Sequence, residues 1–198
     1  MGIICGGGLP KETDMFRIFR AACSGWPLAC AVLVGLAFGQ QLQKDILVGG
    51  RLTSGFDMGV NTSENKTNWV KNEGEHLKMS YPSDQAWGAV FITVGKPKQP
   101  PRPFRDLSAY NMLTIEMKGG VGGEQLEIGI KTNTQPDDGS ETKVPVKLTP
   151  DWKPYQFRLD RFDGVDPNKV YVVAEFVYSG SDAATVFARK ISYSNVSK

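Results

Sequence analysis

The stretch VYVVAEFVYSGSDAATVFARKISY, residues 170–193, decides how this chain folds. Its first part, Val170 to Tyr178, is dense in Val, Phe and Tyr, the β-branched and aromatic side chains that fit a pleated surface. Ser179-Gly180-Ser181-Asp182 supplies turn chemistry. A second strand follows from Thr185 to Tyr193. Strict alternation puts Val186, Ala188 and Lys190 on one side of it and Phe187, Arg189, Ile191 and Tyr193 on the other. The two strands read as a terminal hairpin. A hairpin this apolar has to be covered by another sheet, so it is expected at the centre of a sandwich.

Working upstream, further strands are separated by short turns. Asp151 to Leu159, Lys143 to Leu148, Gln125 to Asn133 and Met112 to Lys118 are four of them. Ala86 to Val94 and His76 to Tyr81 are two more, the latter with Leu77, Met79 and Tyr81 on one face. Residues 96–103 form an extended, proline-rich loop. Gly119 to Gly123 is a connection and not a phosphate loop, because a strand follows it and no Lys-Ser/Thr does. The pattern predicts eight or nine strands without a central helix. The fold class is therefore all-β, a jelly-roll β-sandwich of two antiparallel sheets. Its domain is placed at residues 54–198, after a polar lead-in at 40–53.

The N-terminus has a different character. Arg17 and Arg20 precede WPLACAVLVGLAF, residues 26–38, an apolar run too short to span a bilayer comfortably. Ala37-Phe38-Gly39 then offers small residues at the two positions a signal peptidase reads. Residues 1–39 are read as a signal peptide cut before Gln40, with an uncleaved membrane anchor as the alternative, Met15 the more natural start and 1–14 an extension upstream of it. Cys5, Cys23 and Cys30 all lie ahead of the cut. The domain then has no cysteine, which excludes a disulfide scaffold, a thiolate zinc site and a cysteine nucleophile. With 23 basic and 21 acidic residues the chain has no charge excess that favours nucleic acid. The expectation is a secreted or periplasmic protein with no membrane span after cleavage.

Several segments resemble carbohydrate-binding modules of the jelly-roll, galactose-binding-like type, notably family 11. Phe56-Asp57 is similar to the "FeD" start of these modules, and Arg105 to Leu113 to their "dLsaYd.L" element. Asp151 to Leu159 is similar to their "W..y.ipL" strand, where Trp152 matches a packing tryptophan, and residues 185–193 to their closing strand. The complex I intermediate-associated proteins, which hold other proteins, are similar as well. The resemblance implies carbohydrate as the partner, with a protein interaction or assembly domain as the alternative. It also implies a structural Ca²⁺ held partly by acids of the closing strand. Arg189 and Lys190 stand where those acids are expected and a cation opposes Ca²⁺ there, so no cofactor is expected.

Catalysis is hard to build from these residues. His76 is the only histidine and has no Ser or Cys motif around it, and no pair of carboxylates is singled out. A binding face is easier to assemble. Sugars offer C–H faces to aromatic rings and hydroxyl rims to charged or amide groups. Alternation about the core residues Val90, Ile92, Leu126, Ile128, Ile130, Val172, Ala174, Phe176 and Tyr178 leaves an opposite face. On it are expected Trp87, Phe91, Glu127, Lys131, Arg158, Tyr171 and Glu175, the candidate ligand-binding set.

Overall fold

The structure is a computed structural model, and it describes residues 42–196. The first strands in chain order are β1 (Gln43–Val48), β2 (Arg51–Leu52), β3 (Phe56–Thr62), β4 (Val70–Asn72), β5 (Leu77–Tyr81) and β6 (Trp87–Val94). They are followed by β7 (Met112–Gly119), β8 (Gln125–Thr132), β9 (Lys143–Lys147), β10 (Lys153–Arg158), β11 (Val170–Ser179) and β12 (Ala184–Ser194). Two short 3-10 turns, Leu159–Arg161 and Pro167–Lys169, are the only helical pieces among the described residues. A seven-stranded sheet runs β10-β7-β12-β1-β2, with β5 also on β12 and β4 on β5. A five-stranded sheet runs β3-β6-β11-β8-β9. All strand pairs are antiparallel. The all-β sandwich expected from the sequence is the fold observed.

The quoted stretch does something other than turn back on itself. β11 lies between β6 and β8, whereas β12 lies in the other sheet beside β7, β5 and β1. The chain crosses from one sheet to the other through residues 179–183, with Gly180 at φ 110°. The expected hairpin is thus corrected to a crossover between two central strands. Paired side by side, both apolar faces would point the same way and need a third element to cover them. In separate sheets each covers the other. Phe176 and Tyr178 meet Val186, Ile191 and Tyr193 in one core, and the Tyr193 hydroxyl donates to the Val173 carbonyl at 2.6 Å.

β-Bulges set which residues reach that core. A register shift between Ala188 and Lys190 turns Arg189 and Lys190 both outward, so Val186, Ala188, Ile191 and Tyr193 are all buried. Alternation had put Ile191 and Tyr193 opposite Val186. A shift between Val172 and Ala174 acts likewise in β11: Val173 and Ala174 belong to the core, while Tyr171 and Val172 do not. A third, between Asp45 and Leu47, buries Ile46 and Leu47 together.

That third bulge also explains a boundary error. Residues 43–52, expected as a lead-in ahead of the domain, form β1 and β2 of the seven-stranded sheet. QKDILV has no clean alternation, because its three apolar residues are consecutive. The twelve strands exceed the eight or nine expected, the surplus lying largely between residues 43 and 72. Among the described residues no helix is long and apolar enough to cross a membrane. The expected signal peptide, residues 1–39, lies outside the described residues.

Candidate functional site

The outer face of the five-stranded sheet gathers most of the candidate residues, and the registers arrange them in rows. One row crosses all five strands: Gly59, Phe91, Glu175, Gly129 and Lys143. The next is Asn61, Ala89, Val177, Glu127 and Pro145. Beyond it Trp87 stands opposite Ser179, and its side chain is 43% exposed. The Phe91 ring lies over Gly59, where a Cβ would have no room. Lack of a side chain at 59 therefore lets the ring lie low on the sheet. Trp87 supplies an exposed apolar surface at one end of this face, and Phe91 a half-buried one within it.

Charge is concentrated in the middle and at the other end. Lys131 is buried, and its ammonium pairs with Glu141 at 3.2 Å and with Asp137 at 3.2 Å. It also donates to the Pro136 carbonyl at 2.6 Å. Lys143 pairs with the other Glu141 oxygen at 2.6 Å and donates to the Gly139 carbonyl at 2.6 Å. Burial raises Glu141, but the Lys143 and Lys131 ammoniums and its own backbone N–H outweigh that and hold its carboxyl below the usual range. Glu175 is pushed up to about 7, first by burial and then by the charge of the neighbouring Glu141. Its Oε2 is buried without a hydrogen-bond partner.

Two expected members are elsewhere. Tyr171 is buried beneath the 96–103 loop, its hydroxyl accepting from the Lys98 N–H at 2.9 Å and its ring under the Arg102 guanidinium at 5.1 Å. The β11 bulge brings it to this edge, so it is a support for the loop and no open platform. Arg158 is on β10 of the other sheet, exposed and paired with Asp160 at 2.5 Å. Alternation correctly made it outward-facing, but only strand pairing says which sheet it faces out from. Trp87, Phe91, Glu127, Lys131 and Glu175 do share the face. Asn61, Glu141 and Lys143 were missed: β3 was not read as a strand, Glu141 precedes β9 in a loop, and Lys143 reaches the row only through pairing with Gly129.

The calcium positions of the resemblance can be tested on the same footing. Arg189 pairs with Glu116 and lies over the Trp152 ring at 4.7 Å, and Lys190 stands 3.8 Å from Asp45. The nearby acids are already answered by these cations, so a Ca²⁺ does not fit there. Trp152, expected as a packing residue, is half-buried on the outer side of the seven-stranded sheet and absent from the core cluster.

The sandwich thus has one broad face that bears an exposed tryptophan and outward-facing polar groups. The family described as "Carbohydrate binding domain 30" (CBM30) matches residues 47–195. The chain belongs to this family. As a CBM30 chain it is a carbohydrate-binding module, and the family 11 resemblance is corrected to family 30. No curated protein matches it. Among solved structures it is similar to the family 30 module of a cellulosomal cellulase of Clostridium thermocellum. Identity is 21%, TM-score 0.53, over 79% of this chain and 99% of that one. The family 11 module of Clostridium thermocellum, in complex with a β-1,3-1,4-mixed-linked tetrasaccharide, is similar at 12% identity and TM-score 0.54, over 78% and 96%. A family 29 module complexed with mannohexaose is similar at 13% identity and TM-score 0.53, over 78% and 92%. At these identities the structural likeness concerns the fold alone.

Proposed function

We propose that this CBM30 chain binds a β-linked polysaccharide on the outer face of its five-stranded sheet and does not cleave it. The observation that carries this reading is the exposed Trp87 ring on the face where Phe91, Glu127 and Glu175 stand in successive rows. A sugar ring stacks on Trp87, and its hydroxyls reach Asn61 and Glu127. The mixed-linked glucan and mannohexaose held by the structural neighbours supply the first ligands to try. Absence of cleavage is supported by the carboxyls themselves. Glu141 stands near enough to raise the pKa of Glu175 and is itself tied to lysines, whereas a hydrolase holds two carboxyls apart on either side of the bond it breaks.

Trp87→Ala is expected to weaken glycan binding by about 1–3 kcal/mol, the range of aromatic stacking. Stability should fall by much less than the ~3–5 kcal/mol of a truncated core aromatic. Isotherms with mixed-linked glucan oligosaccharides and mannohexaose, beside urea melts of the same variant, read the two quantities. Unchanged affinity for a bound glycan would move the site off this face.

Secretion or periplasmic export belongs to the same proposal. It is supported by Arg17, Arg20 and the apolar run 26–38. Mass spectrometry of the exported protein should find a chain starting at Gln40 or within a few residues. A product that keeps Trp26 to Phe38 would overturn the processing.

A further inference from the structure

We propose that the outer face of the seven-stranded sheet is a second glycan site, selective for an acidic polysaccharide and centred on Lys118. The core separates this face from the Trp87 face, so the two are independent. Strand pairing puts Lys118, Phe187, Lys78 and Lys71 in one row across β7, β12, β5 and β4. The Lys118 ammonium lies 5.4 Å from the Trp152 ring centre and 5.1 Å from that of Phe187. The Arg189 guanidinium lies 4.7 Å from the same Trp152 ring. Two cations therefore share one indole. His76 borders both rings, at 5.8 Å from Trp152 and 5.2 Å from Phe187.

The manner of holding is what points to a ligand. A carboxylate partner positions a lysine and cancels its charge; an aromatic face positions it and leaves the charge intact. Among the described residues Arg189 has Glu116 and Lys78 has Glu73, but Lys118 and Lys71 form no ion pair. The row thus keeps an uncompensated positive charge at a fixed position, Lys118, which a carboxylate or sulfate would relieve.

Beside this patch on the same face runs a groove of about 320 Å³. Thr114, Ser192, Ser194 and Gln43 line it with hydroxyls and an amide, the partners that ring hydroxyls need. The Glu116–Arg189 pair joins groove to patch. A chain of acidic sugars lying along β12 places a charged group at Lys118 and its hydroxyls in the groove.

The test uses the full chain with polygalacturonate for carboxylate, dextran sulfate for sulfate, and neutral mixed-linked glucan, in affinity electrophoresis and calorimetry. Binding of at least one acidic polymer is expected, weakened by salt. Lys118→Glu should lower that affinity by about tenfold, as should Lys118→Met, which keeps the stem against the rings. Neutral-glucan binding should be unaffected by either, and Trp87→Ala should leave the acidic polymer bound. Retention of polygalacturonate alone assigns uronates, and of dextran sulfate alone, sulfated sugars; both support the site. No retention of either acidic polymer at low salt, or unchanged retention in a folded Lys118→Met variant, overturns it. So does equal retention of inorganic polyphosphate through Lys118, which would mean a general polyanion surface. The neutral glucan reports separately on the Trp87 face, so each reading fails on its own.

Discussion

Replacing Tyr178 with alanine is expected to cost about 3–5 kcal/mol of folding stability, the range for truncating a buried aromatic. Tyr178 is 1% exposed and is the meeting point of three rings. It stacks on Tyr81 at 5.1 Å between centroids, with the planes 11° apart, and meets Trp69 edge-on at 5.6 Å. Tyr81 and Trp69 also pack edge-on, at 5.8 Å. The Tyr178 hydroxyl donates to the Met79 sulfur at 3.7 Å, and burial pushes its pKa up. The cluster joins β11 of one sheet to β5 of the other, so its loss weakens the contact that closes the sandwich. A domain of this size has roughly 5–15 kcal/mol in total, so most of its margin disappears. Urea denaturation should show the midpoint falling with little change of slope. A loss below about 1 kcal/mol would show that the neighbouring rings refill the space, against the close packing described here.

The second large effect is one of pH. Glu175 has its folded pKa raised to about 7, against 4.5 for an ordinary glutamate, chiefly by burial and then by Glu141. The folded protein therefore binds a proton more tightly than the unfolded chain at this position. Stability falls as pH rises through the window from about 4.5 to 7 and levels off above it. Over that window the ionised side chain withdraws about 3 kcal/mol. Glu175→Gln keeps the shape and cannot ionise, so it should flatten the curve and leave the variant more stable than the wild type at pH 8. Glu141 has the opposite sign, since its lowered pKa gives stability that is lost only as pH falls below the ordinary glutamate range. Chemical denaturation of both proteins between pH 4 and pH 8 measures the difference. Parallel curves would mean that Glu175 ionises freely in the fold.

Much of the sandwich was legible in the residues themselves. Leu77, Met79 and Tyr81, or Leu126, Ile128 and Ile130, alternate without interruption, and each set is buried as alternation requires. Where a bulge intervenes, the local pattern misleads. Val172 and Val173 are chemically equivalent to a reader of sequence, and only the register of β11 against β6 and β8 decides that Val173 goes inward. The same holds for Ile46-Leu47 and for Arg189-Lys190, where two neighbours share a side.

The candidate site divides along the same line. Strand composition alone was enough to give the outward direction of Phe91, Glu127 and Glu175, because each lies between residues whose burial the hydrophobic effect enforces, and Trp87 follows by sharing the alternation of Phe91. Which outward residues become neighbours depends on strand order, and strand order is a property of the whole chain. Arg158 and Glu127 are equally outward, yet they stand on opposite sides of the core because β10 pairs with β7 and β8 with β11. Lys143 and Gly129, with no local signal linking them, meet for the same reason. The crossing at Gly180 is the largest such decision. Local sequence specified two apolar strands and a turn; the need of each to be covered by the other placed them in different sheets.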